Sequence, residues 1–290
     1  MTFPDEQRSP QTWTSQAPSA RSRAADAALA RDLAGRAGEL VLALRPQLVE
    51  GLESAAAGRA DDAAAQDFLA QALRAYRSAD AILSEEAEQL VDADGTPSRL
   101  KASRVWIIDP LDGTREYVVA GRDDWAVHVA LWARTSGGMR SGLLAGAVAL
   151  PAQGLTLSTA EPAVVPPRPD AGAPWRVVVS RSRPPAFLEA LAASVPLEVR
   201  PHGSAGAKAA EVVLGRADAY LHASSADGSG LNEWDSAAPV AVAQAAGLHV
   251  SHLDGSDVVF NQPSHVSGDL VICRPELAPT LLAALAPLVT

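Results

Sequence analysis

VWIIDPLDGTREYVVAG, residues 105–121, changes character in its middle. Val105, Trp106, Ile107 and Ile108 are the β-branched and aromatic types that fill a buried strand. They run straight into Asp109-Pro110-Leu111-Asp112-Gly113-Thr114, where two carboxylates stand three positions apart. Asp-Pro and Asp-Gly pairs are ordinary turn chemistry, so taken alone the segment reads as a tight turn closing a core strand. A second reading is that the acids wait for a cation.

Around this strand the pattern is helix, then sheet, then alternation. Leu29, Leu33, Leu40, Val41 and Leu44 line one helical face from Arg21 to a stop near Pro46. A second helix is expected over 62–77, with Phe68, Leu69, Leu73 and Tyr76 inward, then a short strand at 81–83 meeting Glu85 and Glu86. Downstream, WAVHVALWA (125–133), LLAGAVALP and GLTLSTA read as an antiparallel meander. EPAVVPPRPDAGAP, rich in proline, marks a linker or long surface loop. Beyond it WRVVVS, LEVRP and DAYLHA read as strands. PPAFLEALAASV, SAGAKAAEVVLGRA, NEWDSAAPVAVAQAAG and PELAPTLLAALAPLV read as helices, Gly247 being a plausible C-terminal stop for the third. The expected organisation is a disordered tail over 1–20, an N-terminal α+β unit over 21–160 and a C-terminal α/β unit over 175–290.

Bulk properties exclude several classes. Of 290 residues, 48% are hydrophobic but only 4% aromatic, so much of the core is alanine, which suits close-packed helices. A net charge of −10 without a long basic run argues against binding nucleic-acid polymers or anionic membranes. No apolar run is long enough to span a bilayer, and the Ser/Thr/Pro-rich start lacks the apolar core of a signal peptide. Cys273 is the single cysteine, which rules out an internal disulfide and fits a reducing cytoplasm.

Three acidic spots fall at element ends: Glu85-Glu86, Asp109 with Asp112, and Asp235. Each has a plain explanation. Glu86 and Glu88 suit a solvated helix start, and Asp235 suits an N-cap. Gathered together without basic partners, however, such carboxylates repel one another unless a cation joins them. Mg²⁺ accepts a few carboxylate oxygens along with water and phosphate, and a pair of such ions can activate water and steady a leaving oxygen.

In that order, SEE, WIIDPLDGTREY and EWDSAAP resemble the lithium-sensitive, magnesium-dependent phosphatases of the inositol monophosphatase superfamily, from about Arg21 to Thr290. Within it the sequence is most similar to the CysQ type, which acts on 3′-phosphoadenosine 5′-phosphate. The supporting details are Ser84 before the glutamate pair, GTREY after Asp112, and HGSAGAK opening a later helix. The resemblance implies a layered α-β-α-β-α sandwich of the α+β class, and two or three Mg²⁺ ions per site. It implies that Glu85, Asp109 and the Leu111 carbonyl hold the metal of the attacking water, while Asp109, Asp112 and Asp235 hold a second beside the leaving oxygen. Thr114 would orient the water with an aspartate whose family spacing falls on Asp62, Asp61 being the alternative, and Gly113 and Thr114 would open a phosphate-receiving helix. The substrate would be a small phosphate ester, and a homodimer is the usual assembly.

Ser204 and Lys208 lie one helical turn apart, where Lys208 either meets a second phosphate or faces solvent. His222 either faces substrate or sits satisfied at the surface. Glu233 reads as support for the NEWD turn rather than a pocket residue, and His128 as a core histidine with a partner rather than a ligand. The stretch ESAAAGRADD departs from the family pattern, and the glycine-rich SSADGSGL adds a rim beside the expected pocket. The reaction expected is removal of the 3′-phosphate to give AMP, as in sulfate assimilation or nucleotide recycling. The alternatives are an inositol monophosphatase or fructose-1,6-bisphosphatase with the same chemistry, and a metal-dependent binding protein that has lost turnover.

Overall fold

A computed structural model of the chain describes residues 20–49, 54–87, 90–93, 95–134, 141–225 and 230–289. The expected tail lies outside these except for Ala20, and so do Glu88 and residues 226–229 of the glycine-rich rim. The first half runs α1 (Ala20–Val49), α2 (Ser54–Tyr76), β1 (Ala81–Ser84), β2 (Arg104–Asp112), α3 (Thr114–Tyr117), β3 (Ala126–Ala133), β4 (Gly142–Leu150) and β5 (Leu155–Ser158). The second runs β6 (Trp175–Ser180), α4 (Leu188–Ser194), β7 (Leu197–His202), α5 (Ala205–Val213), β8 (Ala219–His222), β9 (Leu231–Asn232), α6 (Glu233–Ala245), β10 (His249–Ser251), β11 (Val266–Gly268), β12 (Leu270–Cys273) and α7 (Ala278–Leu285).

Two five-stranded sheets organise these elements, ordered β1-β2-β3-β4-β5 and β10-β12-β8-β6-β7. In the first, β1 is parallel to β2 and the rest is the antiparallel meander read from sequence. Alternation along each strand sends its side chains to opposite faces. Trp106, Ile108, Val127 and Val129 pack on α1 and α2, whereas Val105, Ile107, Ala126 and Ala130 pack on α5 and α6. The far face of those two helices meets Val178, Tyr220 and Ile272 of the second sheet, whose other side is covered by α4 and α7. The result is the α-β-α-β-α sandwich.

Alanine makes the central layer possible. A Cβ on Gly146 of β4 would come within 2.5 Å of Ala241 Cβ, so α6 lies flush on the sheet at a glycine-to-alanine contact. In the second sheet, the fully buried Asp218 accepts hydrogen bonds from Arg176 Nε and Nη2 and from Arg274 Nε, with Arg168 Nε at 3.4 Å. One carboxylate thereby ties the start of β6 and the end of β12 to the proline-rich connection. No described helix is long and apolar enough to cross a membrane.

The structure departs from the sequence expectations at four points. The first helix passes Pro46 and ends at Val49, since one proline removes a single i→i−4 bond and can bend a helix rather than end it. The second begins at Ser54, not Asp62, because its alanine-rich start carries no apolar periodicity but has high intrinsic helix propensity. Asp109 and Asp112 do not form a turn beyond the strand; both belong to β2. Strands β9 to β12 were not foreseen, most of them being only two or three residues long.

Candidate active site

The β2–β3 ladder explains how two acids three positions apart come to one face. Asp109 pairs with His128 and Asp112 with Ala126, so β2 spends one more residue than β3 over this interval. That is a β-bulge. Without it, Asp109 and Asp112 would point to opposite sides of the sheet. The extra residue falls at Pro110-Leu111, where a proline without an N–H is tolerated. Both carboxylates therefore face the central helical layer, and there Asp235 joins them from the first turn of α6. One oxygen from each of Asp109, Asp112 and Asp235 lies within 4.8 Å of the others.

Each acid is anchored separately. Asp109 Oδ1 accepts the Leu111 N–H at 3.1 Å, leaving Oδ2 buried without a hydrogen-bond partner. Asp112 Oδ2 accepts the Gly206 N–H at 2.8 Å. Asp235 Oδ2 accepts the Asn232 N–H at 2.6 Å, closing a capping box at the head of α6. Glu85 follows β1, whose Ser84 pairs with Ile108, so register alone sets it beside Asp109. Ser84 Oγ donates to Gln66 Oε1 at 2.6 Å, tying the SEE segment to α2 one turn beyond Asp62. Asp61 and Asp62 then separate: Asp61 Oδ2 lies 2.8 Å from the Tyr117 hydroxyl. Asp62 is buried near Glu85 and Glu86, its Oδ1 without a hydrogen-bond partner.

The electrostatics follow from this crowding. Burial, then Glu86 and Glu85, push Asp62 up to about 8. Glu85, open to the cleft but partly desolvated, rises to about 7 through that desolvation and the charges of Asp235 and Asp112. Asp235 rises to about 6 through burial and Asp112. Asp109 is raised by burial and by Glu85. Asp112 differs. Burial pushes it upward, but His128, whose Nε2 lies 3.2 Å from Asp112 Oδ2, together with Lys208 and the Gly206 N–H brings it below the usual range. The acids are thus not without basic partners, which corrects the sequence expectation: His128 comes from the adjacent strand. The donors are hard carboxylate oxygens, and two buried oxygens lack partners. This set fits a hard divalent cation.

Raised carboxyl pKa values fix the sign of a pH effect. An Asp or Glu held above its unfolded value of about 4 stabilises the fold fully below that pH and loses the contribution as pH rises through its folded value. The window here runs through about 6, 7 and 8 for Asp235, Glu85 and Asp62. In chelator, the melting temperature should therefore fall between about pH 5 and pH 8.5, and the increment on adding Mg²⁺ should grow over the same range. Thermal scans with and without Mg²⁺ check this. An increment that stays flat with pH would contradict it.

The acids open on a cleft of about 480 Å³. One wall is the short helix α3, whose N-cap Gly113 has φ +88°. A Cβ there would lie 2.9 Å from Ser204 Cβ, so glycine is required both by conformation and by the approach of α5. Thr114 Oγ1 donates to Leu111 O at 3.2 Å. Behind α3, Arg45 donates to the carbonyls of Tyr117, Val119 and Arg122, pinning the segment to α1.

The opposite wall carries Ser204, Lys208, His222 and Arg183. Ser204 caps α5, its Oγ accepting the Ala207 N–H at 2.8 Å. Lys208 is not a solvent-facing lysine. It is 3% exposed, donates to Gly203 O and Ser204 O, and lies over the Tyr220 ring, and burial lowers it to about 8. His222 is not a surface histidine either: burial, then Lys208 and Arg183, lower it to about 4. Glu233 faces away, accepting the N–H groups of Asn261 and Gln262 at 2.7 and 2.8 Å. Arg183 and Gly206 were missed by sequence reasoning. SRSR offered no motif, although Gly206 inside an apolar helix was a signal of close approach.

A layered sandwich with an acid-lined cleft at its first sheet defines a class of phosphate-ester hydrolases, and the chain belongs to the inositol monophosphatase family, whose sequence model matches residues 24–289. Among curated relatives, a Mycobacterium leprae protein named 3′-phosphoadenosine 5′-phosphate phosphatase is 47% identical over 266 residues, covering 90% of this chain and 93% of its own. A Mycobacterium tuberculosis protein of the same name is 46% identical over 253 residues, covering 86% and 89%. The solved inositol monophosphatase from Anabaena (Nostoc) sp. superposes with a TM-score of 0.65 at 22% identity, over 91% of this chain and 96% of its own. That last likeness establishes the fold.

Proposed function

We propose that the chain is a Mg²⁺-dependent phosphomonoesterase that removes the 3′-phosphate of 3′-phosphoadenosine 5′-phosphate, releasing AMP and inorganic phosphate. One observation carries the reading: the acid cluster and a wall carrying the cations Lys208 and Arg183, with the neutral imidazole of His222 beside them, line the same cleft. Such a cleft suits a ligand with two phosphates, one at the acids and one opposite. The names of the mycobacterial relatives support the nucleotide. Cytoplasmic location, lithium sensitivity, homodimeric assembly and a part in sulfate assimilation or nucleotide recycling belong to the same proposal.

Mg²⁺ bound among Glu85, Asp109, the Leu111 carbonyl, Asp112 and Asp235 would supply positive charge for the phosphate oxygens and acidify water. Asp62, poised near neutrality, takes the proton of the attacking water. Thr114 orients that water, its hydroxyl being aimed by the bond to Leu111 O. Water oxygen bonds to phosphorus as the ester P–O bond breaks, the 3′-oxygen leaves as a hydroxyl after gaining a proton from solvent water, and Asp62 returns its proton to solvent. Gly113 and Thr114 present backbone to the phosphate, while Ser204, Lys208 and His222 bind the remainder of the substrate.

Comparing kcat/KM for 3′-phosphoadenosine 5′-phosphate, inositol 1-phosphate and fructose 1,6-bisphosphate tests the substrate class. We expect the nucleotide to lead by at least about tenfold, worth about 1.4 kcal/mol of transition-state binding. An inositol or sugar phosphate in first place would replace this reading with the alternative.

A further inference from the structure

His128 stands opposite Asp109 in the β2–β3 ladder and is completely buried. Its neighbours along the same face of β3, Ala126, Ala130 and Trp132, are apolar core residues. A leucine would suit such a position, and an imidazole buried there costs free energy unless its nitrogens are occupied. Both are. Nε2 lies 3.2 Å from Asp112 Oδ2, and Nδ1 lies 3.1 Å from the carbonyl oxygen of Trp234, the residue before Asp235. Nδ1 is also 3.9 Å from Asp109 Oδ2. The ring therefore spans the gap between the bulge of β2 and the first turn of α6, two elements far apart in sequence that each contribute an acid. A Cβ on Gly206 would fall 2.2 Å from His128 Nε2. The glycine thus lets α5 close onto the ring and place its N–H on the same Asp112 oxygen.

We propose that His128 is a positioning residue of the metal centre. By bracing Asp112 against the Trp234 carbonyl, it sets the spacing of Asp112 and Asp235. With Gly206 it also occupies one Asp112 oxygen, leaving the other for the cation. Groups that orient metal ligands in this way are typically worth about 10–100-fold in metal affinity. The proposal rests on the metal-centre part of the function proposed above, not on the choice of substrate.

The test is calorimetric titration of MgCl₂ into substrate-free protein, comparing the parent with His128→Leu, His128→Gln and His128→Asn, with melting in chelator as the fold control. We expect His128→Leu to weaken Mg²⁺ binding about 10–100-fold, with His128→Gln, which keeps two N–H donors, recovering part of the loss. The Mg²⁺ concentration for half-maximal activity should rise in step, while KM for the phosphate ester changes little. Folded variants that bind Mg²⁺ as tightly as the parent would overturn the assignment. So would loss of the fold in all three, which would make His128 a core residue only. A parent that binds no Mg²⁺ would instead overturn the metal-centre reading itself.

Discussion

Asp109→Asn is expected to abolish nearly all turnover while leaving the fold intact. Asp109 is central among the acids: Glu85, Asp112, Asp235 and Asp62 all raise its pKa, and its Oδ2 lacks a hydrogen-bond partner. The amide keeps the oxygen that accepts the Leu111 N–H and replaces the other with an N–H₂ facing carboxylates. Repulsion in the empty site falls, so melting in chelator should hold or rise. The loss of charge at the centre of the metal site should cost roughly 10³–10⁴-fold in kcat/KM, and the Mg²⁺-dependent increment in melting temperature should shrink. Phosphate-release kinetics and paired melts check both halves. A variant retaining a tenth of the parental rate would show that the acid cluster is not the catalytic centre.

Asp62→Asn should separate proton transfer from metal binding. Asp62 lies on α2 and is not one of the close triad, and burial with Glu86 and Glu85 holds it at about 8. A base poised near neutrality contributes roughly 10²–10⁴-fold to a rate. The amide should lose that factor in kcat, with KM and Mg²⁺ affinity nearly unchanged. The same substitution at Asp61 should act differently. Asp61 meets the Tyr117 hydroxyl, which also lies 2.7 Å from Val41 O, so its loss weakens the packing of α2 on α3 rather than the chemistry. Equal effects of the two substitutions on kcat would contradict the assignment of the base to Asp62.

Most elements and the acid motifs were legible in the sequence because they are local. Val105–Ile108 has strand composition, SEE and EWDSAA sit at element ends, and long apolar runs announce the meander. The bulge was not legible, because an extra residue changes which face Asp112 occupies without changing composition. Pro110 was the only clue. Lys208 was left open between a pocket cation and a solvent-facing lysine because the residue was read without its helix, and the structure removes the second reading. SAGAKAAEVV is apolar nearly all round, the mark of a helix buried between layers, and α5 lies between two sheets. His128 was read correctly as a core histidine with a partner, yet its partners could not be named: Asp112 is on the neighbouring strand and Trp234 is 106 residues away. Glu233 is similar, its bonds running to Asn261 and Gln262 in a loop with no periodic pattern.

The decisive measurement is product analysis of 3′-phosphoadenosine 5′-phosphate incubated with the purified chain, with and without Mg²⁺. The account predicts AMP and one equivalent of inorganic phosphate, formed only when Mg²⁺ is present and not by Asp109→Asn. Formation of adenosine 3′-phosphate, or no phosphate release at any Mg²⁺ concentration, would contradict it.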